Sequence, residues 1–211
     1  MKISTWNVNS VNARIEHLEK FIKKDQSDIY LLQELKTIED GFPKEIIKNS
    51  GYHSYVNGQK AWNGVAILSK EKLEITNTSI PKYDDPNARF IETEIQLKKI
   101  KKNVKLINIY LPNGNPIETE KFDYKIKWMK KFNKYIEELK NKNIPIIISG
   151  DFNVIPSDDD VYSPENFKND ACAHPLTREQ YRILINMGFT DLVKHFVEGK
   201  TNWTFWGYRG G

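Results

Sequence analysis

The sequence predicts an α plus β protein built in layers, with two packed sheets carrying helices on their outer faces. Two observations point there. Short apolar, β-branched runs outnumber stretches with helical spacing, and each long helical stretch leads directly into an apolar run. With 211 residues and 39% hydrophobic content, the chain has enough apolar surface for a real core, and residues 1–211 read as a single domain.

The elements follow in order. Ile3 to Asn7 reads as a strand; Ile15, Leu18, Phe21 and Ile22 then recur with helical spacing before Asp28 to Gln33 resumes as a strand. Pro43 suits the first turn of a short helix. His53 to Val56, Gly64 to Ser69, Phe90 to Leu97 and Val104 to Tyr110 are strands separated by Gly, Asn, Pro and Asp, and Lys98 to Asn103 reads as a hairpin tip. Phe122, Ile126, Met129, Phe132, Ile136 and Leu139 mark a long amphipathic helix that leads into the Ile144 to Ile148 run. A last helix is predicted from Thr177, where Thr177 and Gln180 have the spacing of a capping box.

Composition narrows the function classes. The single cysteine, Cys172, excludes an internal disulfide and a cysteine cage for zinc, and reads as a small apolar filler. No apolar run approaches membrane-spanning length, and the N-terminus enters a strand pattern directly rather than a signal peptide, so a cytoplasmic location is expected. The formal charge is +4, yet 32 basic residues are enough to form a local positive face towards phosphate.

Several strands end in polar residues: Asn7 after the first, Gln33 and Glu34 after the second, Tyr110 after the hairpin, and Asp151 and Asn153 after the Ile146 run. If these strands are neighbours pointing the same way, their ends converge on one cleft. Gly150 allows a sharp turn, and Asp151 and Asn153 have the period-two spacing that points both to one side; ordinary turn chemistry explains the same residues equally well. Glu34 emerges at the edge of a buried strand, where a charge is expensive unless something binds it. A divalent cation and an ion pair with Lys36 are the two readings. Oxygen donors such as Asn7, Glu34, Asp151 and Asn153 suit Mg²⁺ or Mn²⁺, whereas the plain reading of Asn7 is a strand-end turn.

Six segments occur in the order seen in the exonuclease III family of abasic-site endonucleases. They are Thr5-Trp6-Asn7-Val8-Asn9-Ser10-Val11, Leu32-Gln33-Glu34-Leu35-Lys36, Trp62-Asn63-Gly64-Val65-Ala66-Ile67, Ala88-Arg89-Phe90-Ile91, Tyr110-Leu111-Pro112-Asn113-Gly114 and Gly150-Asp151-Phe152-Asn153-Val154. The chain resembles that family over essentially its whole length. The resemblance implies the deoxyribonuclease I-like, four-layered αββα sandwich. It also implies Mg²⁺-dependent phosphodiester hydrolysis in DNA repair, on double-stranded DNA with abasic sites or 3′ ends, by a monomer when complete. By that resemblance Glu34 is the metal's main carboxylate ligand with Asn7 beside it, Asp151 orients or deprotonates the attacking water, and Asn153 helps hold the scissile phosphate. Tyr110 resembles the family's active-site tyrosine, although a strand-end aromatic capping the core is the plainer reading of it. Arg89, Asn113 and Trp206 resemble DNA contacts; an ion pair with Asp84 or Asp85 is the alternative for Arg89.

The sequence also departs from the family. The pattern continues there through an Arg-Ile-Asp-His-type strand to a Ser-Asp-His motif, whereas this sequence stops at Arg209-Gly210-Gly211. His17, His53, His174 and His195 do not match the missing histidine by motif and read as structural or solvent-exposed. The expectation is a C-terminally incomplete domain with impaired activity. A naturally short, non-catalytic DNA-binding relative and a phosphodiesterase for a non-DNA substrate stay open as alternatives.

Overall fold

The computed structural model describes residues 1–97, 101–197 and 203. The chain divides into two compact units, residues 1–110 with 140–152 and residues 111–139 with 153–211. Among the described residues, every strand falls in the first unit. There β1 (Ile3–Asn7), β2 (Ile29–Gln33), β3 (His53–Asn57) and β4 (Val65–Ser69) form a sheet in the order β1-β2-β4-β3. A second sheet places β5 (Ile75–Asn77), β6 (Phe90–Leu97), β7 (Lys102–Tyr110) and β8 (Ile146–Asp151) side by side in chain order. β1 runs parallel to β2, with Asn7 beside Gln33, and β7 runs parallel to β8, with Tyr110 beside Asp151. The remaining pairs are antiparallel, β6 with β7 among them; of the tip expected at Lys98 to Asn103, residues 98–100 lie outside the described residues, and Lys102 and Asn103 belong to β7.

The apolar run of β2 follows from burial on both faces. Tyr30 and Leu32 pack with Leu18 and Ile22 of helix α1 (Ile15–Asp25) and with Ile47 of helix α2 (Lys44–Asn49). Ile29 and Leu31 point the other way, into a cluster with Val65 and Ile67 of their own sheet and Ile91, Val104 and Leu106 of the second. Strand residues alternate between faces, so the interior between the sheets is lined by Ile3-Thr5-Asn7, Ile29-Leu31-Gln33, Leu106-Asn108-Tyr110 and Ile147-Ser149-Asp151. Each row begins apolar and ends polar. The polar ends of the parallel pairs gather the residues considered below.

Asn108 interrupts an apolar strand yet is completely buried. Its Nδ2 donates to the carbonyl oxygens of Leu32 (3.0 Å) and Ala66 (2.9 Å), and its Oδ1 accepts from Gln33 Nε2 at 2.8 Å. Buried polar groups with their partners in place tie one sheet to the other at a fixed register. Asn108 thereby sets the position of Tyr110, two residues on along the same face.

The second unit holds most of α3 (Glu120–Asn141), together with α4 (Pro175–Asn186) and α5 (Leu192–Phe196). On the buried stripe of α3, Trp128 stacks on Phe132 with ring centroids 5.3 Å apart, and Asn133 Nδ2 donates to the Gln180 carbonyl of α4 at 3.0 Å. Cys172 is buried with Ile155 and Val161, as an apolar filler would be.

The capping box predicted at Thr177 is not formed. Pro175 takes the first turn of α4, and His174 is the N-cap, its Nδ1 accepting from Leu176 N at 3.2 Å. Thr177 is buried and donates to the Ala171 carbonyl instead, at 2.7 Å. No helix among the described residues is long and apolar enough to cross a membrane.

Candidate active site

Where β1 and β2 end, their ladder does not stop. Val8 N donates to Gln33 O, Ser10 N to Glu34 O and Val11 N to Leu35 O, at 3.0, 2.7 and 3.1 Å. On the other side Leu35 N and Lys36 N donate to Gly64 O (3.2 Å) and Asn63 O (2.9 Å), and Gly64 N donates to Ala88 O at 2.9 Å. These bonds hold an unusual backbone, with positive φ at Asn9 (43°), Ser10 (84°), Glu34 (54°), Lys36 (55°) and Asn63 (59°). Left-handed conformations at non-glycine residues persist only where the surroundings over-determine them, and they cluster at functional sites.

That backbone aims four side chains at one point. Asn7 Nδ2 donates to Glu34 Oε1 at 3.1 Å and to Asp151 Oδ2 at 2.7 Å, joining both sheets through one carboxamide. Tyr110 donates its hydroxyl proton to Glu34 Oε1 at 2.6 Å. Asn7 Oδ1 accepts from Asn9 N at 3.0 Å, so the strand-end turn expected of Asn7 is present within the cluster. The ion pair expected of Glu34 is present too, with Lys36 Nζ 3.1 Å from Oε2, and the same ammonium donates to Asn9 Oδ1. Lys36 leaves the Oε1 side of the carboxylate to Asn7 and Tyr110.

Burial resists the charge on Glu34, but the hydrogen bonds from Tyr110 and Asn7 and the Lys36 ammonium outweigh it and hold this carboxyl below its ordinary range. The opposite holds for Tyr110. Burial, reinforced by the hydrogen bond to Glu34 and the charges of Glu34 and Asp151, pushes its hydroxyl well above the usual phenol range, so it remains a proton donor. The Arg89 guanidinium lies 4.9 Å from the centroid of the Tyr110 ring, and its Nη1 donates to the Tyr110 carbonyl at 3.1 Å. A glycine is required where β8 ends. Gly150 has φ +133°, and a Cβ there would collide with the backbone carbonyl of Ile109 on β7.

Asn113 and Asn153 lie in the second unit, where Asn113 Nδ2 donates to Asn153 Oδ1 at 3.2 Å and Asn153 Nδ2 to Leu111 O at 2.8 Å. Asn113 is exposed and Asn153 buried. Trp206 lies outside the described residues. Trp62, beside Asn63, is 70% exposed.

The donor set fits a hard divalent cation. Two carboxylates, Glu34 and Asp151, are drawn to the same carboxamide, and the Asn7 Oδ1, which accepts one bond from Asn9 N, keeps a second lone pair for a cation. Among the described residues no three His, Cys, Asp or Glu side chains cluster for a metal, so protein ligands here are few and all oxygen. Mg²⁺, which keeps several waters and takes one or two carboxylates, suits such a set better than zinc.

The sequence profile of the Endonuclease/Exonuclease/phosphatase family matches residues 4–211. The chain belongs to this family. Exodeoxyribonuclease III of Haemophilus influenzae is 36% identical over 203 residues, covering 90% of this chain and 74% of the relative. An AP endonuclease structure from Archaeoglobus fulgidus superimposes with a TM-score of 0.89 at 32% identity, over 100% of this chain and 79% of that one. A 3′ phosphatase from Neisseria, bound to a product DNA hairpin, superimposes with a TM-score of 0.90 at 32% identity, over 100% and 80%. The family member is thus of the exonuclease III and abasic-site endonuclease kind, with the deoxyribonuclease I-like αββα fold that the resemblance implied. At that level the chain is a hydrolase of the DNA-repair nuclease family.

Proposed function

We propose that this protein is a Mg²⁺-dependent phosphodiester hydrolase that cuts double-stranded DNA at abasic sites and trims 3′ ends, working in the cytoplasm as a monomer with residues 1–211 contributing one catalytic domain. One observation carries the reading: Asn7, Glu34, Tyr110 and Asp151 form a single hydrogen-bonded group at the polar end of the strands. Glu34 and Asn7, with Asp151 alongside, would hold the cation, for which Mn²⁺ is a plausible substitute by donor type. When bound, it polarises a phosphoryl oxygen and offsets the charge that develops on it.

The side chains divide the remaining work. Asp151 sits where a carboxylate can orient a water and take its proton, a role worth about 10²- to 10⁴-fold in rate. Asn7 keeps the Asp151 carboxylate from swinging away. The Tyr110 hydroxyl, held protonated, donates a hydrogen bond to Glu34 and can pass it to a phosphate oxygen as charge builds. Asn153 and Asn113 supply carboxamide donors to the scissile phosphate, and the engagement of Asn153 with Asn113 and Leu111 favours this over metal ligation. Arg89, Trp62 and the Trp206 segment are assigned to the DNA backbone and groove.

Incision of a duplex containing one abasic site, compared with an intact duplex, tests the reading. Slow cleavage, below the rate of the Haemophilus exodeoxyribonuclease III, is expected with Mg²⁺ and none with chelator. Asp151→Asn should lower kcat by about 10²- to 10⁴-fold, while Glu34→Gln should raise the Mg²⁺ concentration needed for half-maximal rate. A folded protein that leaves abasic DNA intact, or that hydrolyses a phosphoinositide in preference to it, would sink the proposal.

A further inference from the structure

Lys125 of α3 is completely buried, which is unusual for a lysine. Placing a charge in the interior is costly unless strong partners replace water. Here Nζ donates to the main-chain carbonyls of Asn113 at 3.0 Å and Asn153 at 2.6 Å, and stands 4.0 Å from Cys172 Sγ. The stem is confined as well, because a Cβ on Gly114 would lie 2.5 Å from Lys125 Cδ. If filling space were the only requirement, methionine would serve without the desolvation cost.

The two carbonyls belong to the residues whose carboxamides meet, Asn113 Nδ2 with Asn153 Oδ1 at 3.2 Å. Both stretches bend away from regular structure, with φ +86° at Gly114 and +45° at Asn153. Neither carbonyl belongs to a helix or sheet ladder, so the lysine replaces the partner that regular structure would have supplied. Around them Asn115 N donates to Asn113 Oδ1 (3.2 Å), and Asn115 Oδ1 accepts from Ala171 N (2.8 Å), which extends the same knot to the segment before α4.

We propose that Lys125 is a positioning residue: its ammonium ties the Asn113 and Asn153 main chains together so that their carboxamides converge on a phosphate oxygen. The inference rests on the proposed reading of these two asparagines as phosphate contacts. Lys125 reaches the substrate through them and does not touch it.

The test uses the full chain labelled with ¹⁵N-asparagine, as wild type, Lys125→Met and Lys125→Arg. In folded Lys125→Met the side-chain amide signals of Asn113 and Asn153 should shift and broaden, while those of Asn133, bonded to α4, stay put. On abasic duplex, kcat should fall by about 10- to 100-fold with KM changed by no more than about twofold. Lys125→Arg, which keeps a donor and a charge, should recover much of both. Unchanged Asn113 and Asn153 signals in a folded variant overturn the proposal, as does an activity loss that only tracks the unfolded fraction. If Lys125→Met does not fold, Gly114→Ala displaces the lysine stem and leaves its charge; the same two signals must then move, or the idea fails. Should the wild type cut no DNA, the amide signals still decide the positioning role, while the catalytic reading falls separately.

Discussion

Tyr110 combines a packing position with a hydrogen bond. As a strand-end aromatic it closes the interior between the sheets, where it packs against the Ile29, Leu31 and Val104 cluster. As a donor it reaches Glu34 at 2.6 Å. Both follow from its place two residues after Asn108, on the same face of β7. Tyr110→Phe separates the roles, because it keeps the ring beneath Arg89 and removes only the hydroxyl. A hydrogen bond to a charged partner contributes about 1.5–3 kcal/mol, so the variant should lose roughly that much of transition-state stabilisation, about 10- to 100-fold in kcat, with its urea midpoint lowered less. Full activity in the phenylalanine variant would reduce Tyr110 to a core residue. The polar residues that meet at Asn7 and Glu34 were legible because they stand at the ends of apolar runs. Lys125 was not, since its helix carries lysines throughout and only the fold shows which one points inward. Asn108 gave a visible signal, an amide inside an apolar run, but its partners on β2 and β4 are distant in sequence.

Among the elements, those with a clear apolar or turn signal were readable, the six-residue helix after Pro43 included, and the three-residue strand was not. α1 and α3 carry a clear apolar period and β2 and β8 an unbroken apolar run, and the structure places all four where those patterns predict. β5, with three residues, escapes because Ile75-Thr76-Asn77 is too short to show alternation, and it exists by pairing with β6. The capping pattern at Thr177 misled for a related reason: a local motif competes with Pro175 two residues earlier, whose fixed φ already suits the first turn. The junction of α1 with β1 carries a pH prediction. Asp25, at the last turn of α1, accepts from Lys2 Nζ at 2.6 Å, from Ser27 Oγ at 2.5 Å and from Ser4 Oγ at 3.0 Å. The Lys2 bond first, then the serine hydroxyls, hold its carboxyl far below the ordinary value. A carboxyl depressed on folding stabilises the protein above its unfolded pKa, about 3.9, and loses that contribution as pH falls towards the folded value. The difference in Tm between wild type and Asp25→Asn should therefore be constant from about pH 5 to 7 and shrink below about pH 4. A difference that grows in acid would contradict the assignment.

For the whole molecule, charge sets the terms on which DNA is met. The 32 basic and 28 acidic residues leave only +4, too little for a strong long-range field, so attraction to a duplex must come from local groups. Some basic side chains near the polar strand ends are committed already. Lys36 pairs with Glu34, and Arg14 Nη1 donates to the Asn9 carbonyl at 2.6 Å. Arg89 is also engaged, with the Tyr110 carbonyl, but a guanidinium has five N–H donors and can hold a phosphate with others. Few phosphates should therefore be neutralised, roughly 3 to 5, which sets the slope of log affinity against log salt at about −3 to −5. Binding of an abasic duplex to Asp151→Asn, measured without divalent cation so that cleavage does not intervene, gives that slope directly. From 50 to 200 mM salt the affinity should fall by about 10²- to 10³-fold. Arg89→Ala should make the slope shallower by about one if Arg89 holds a phosphate. The same variant with an unchanged slope and a lowered Tm would assign Arg89 to the support of Tyr110 alone, and the burden of DNA contact would pass to Trp62 and the asparagines, which read the duplex without releasing counterions.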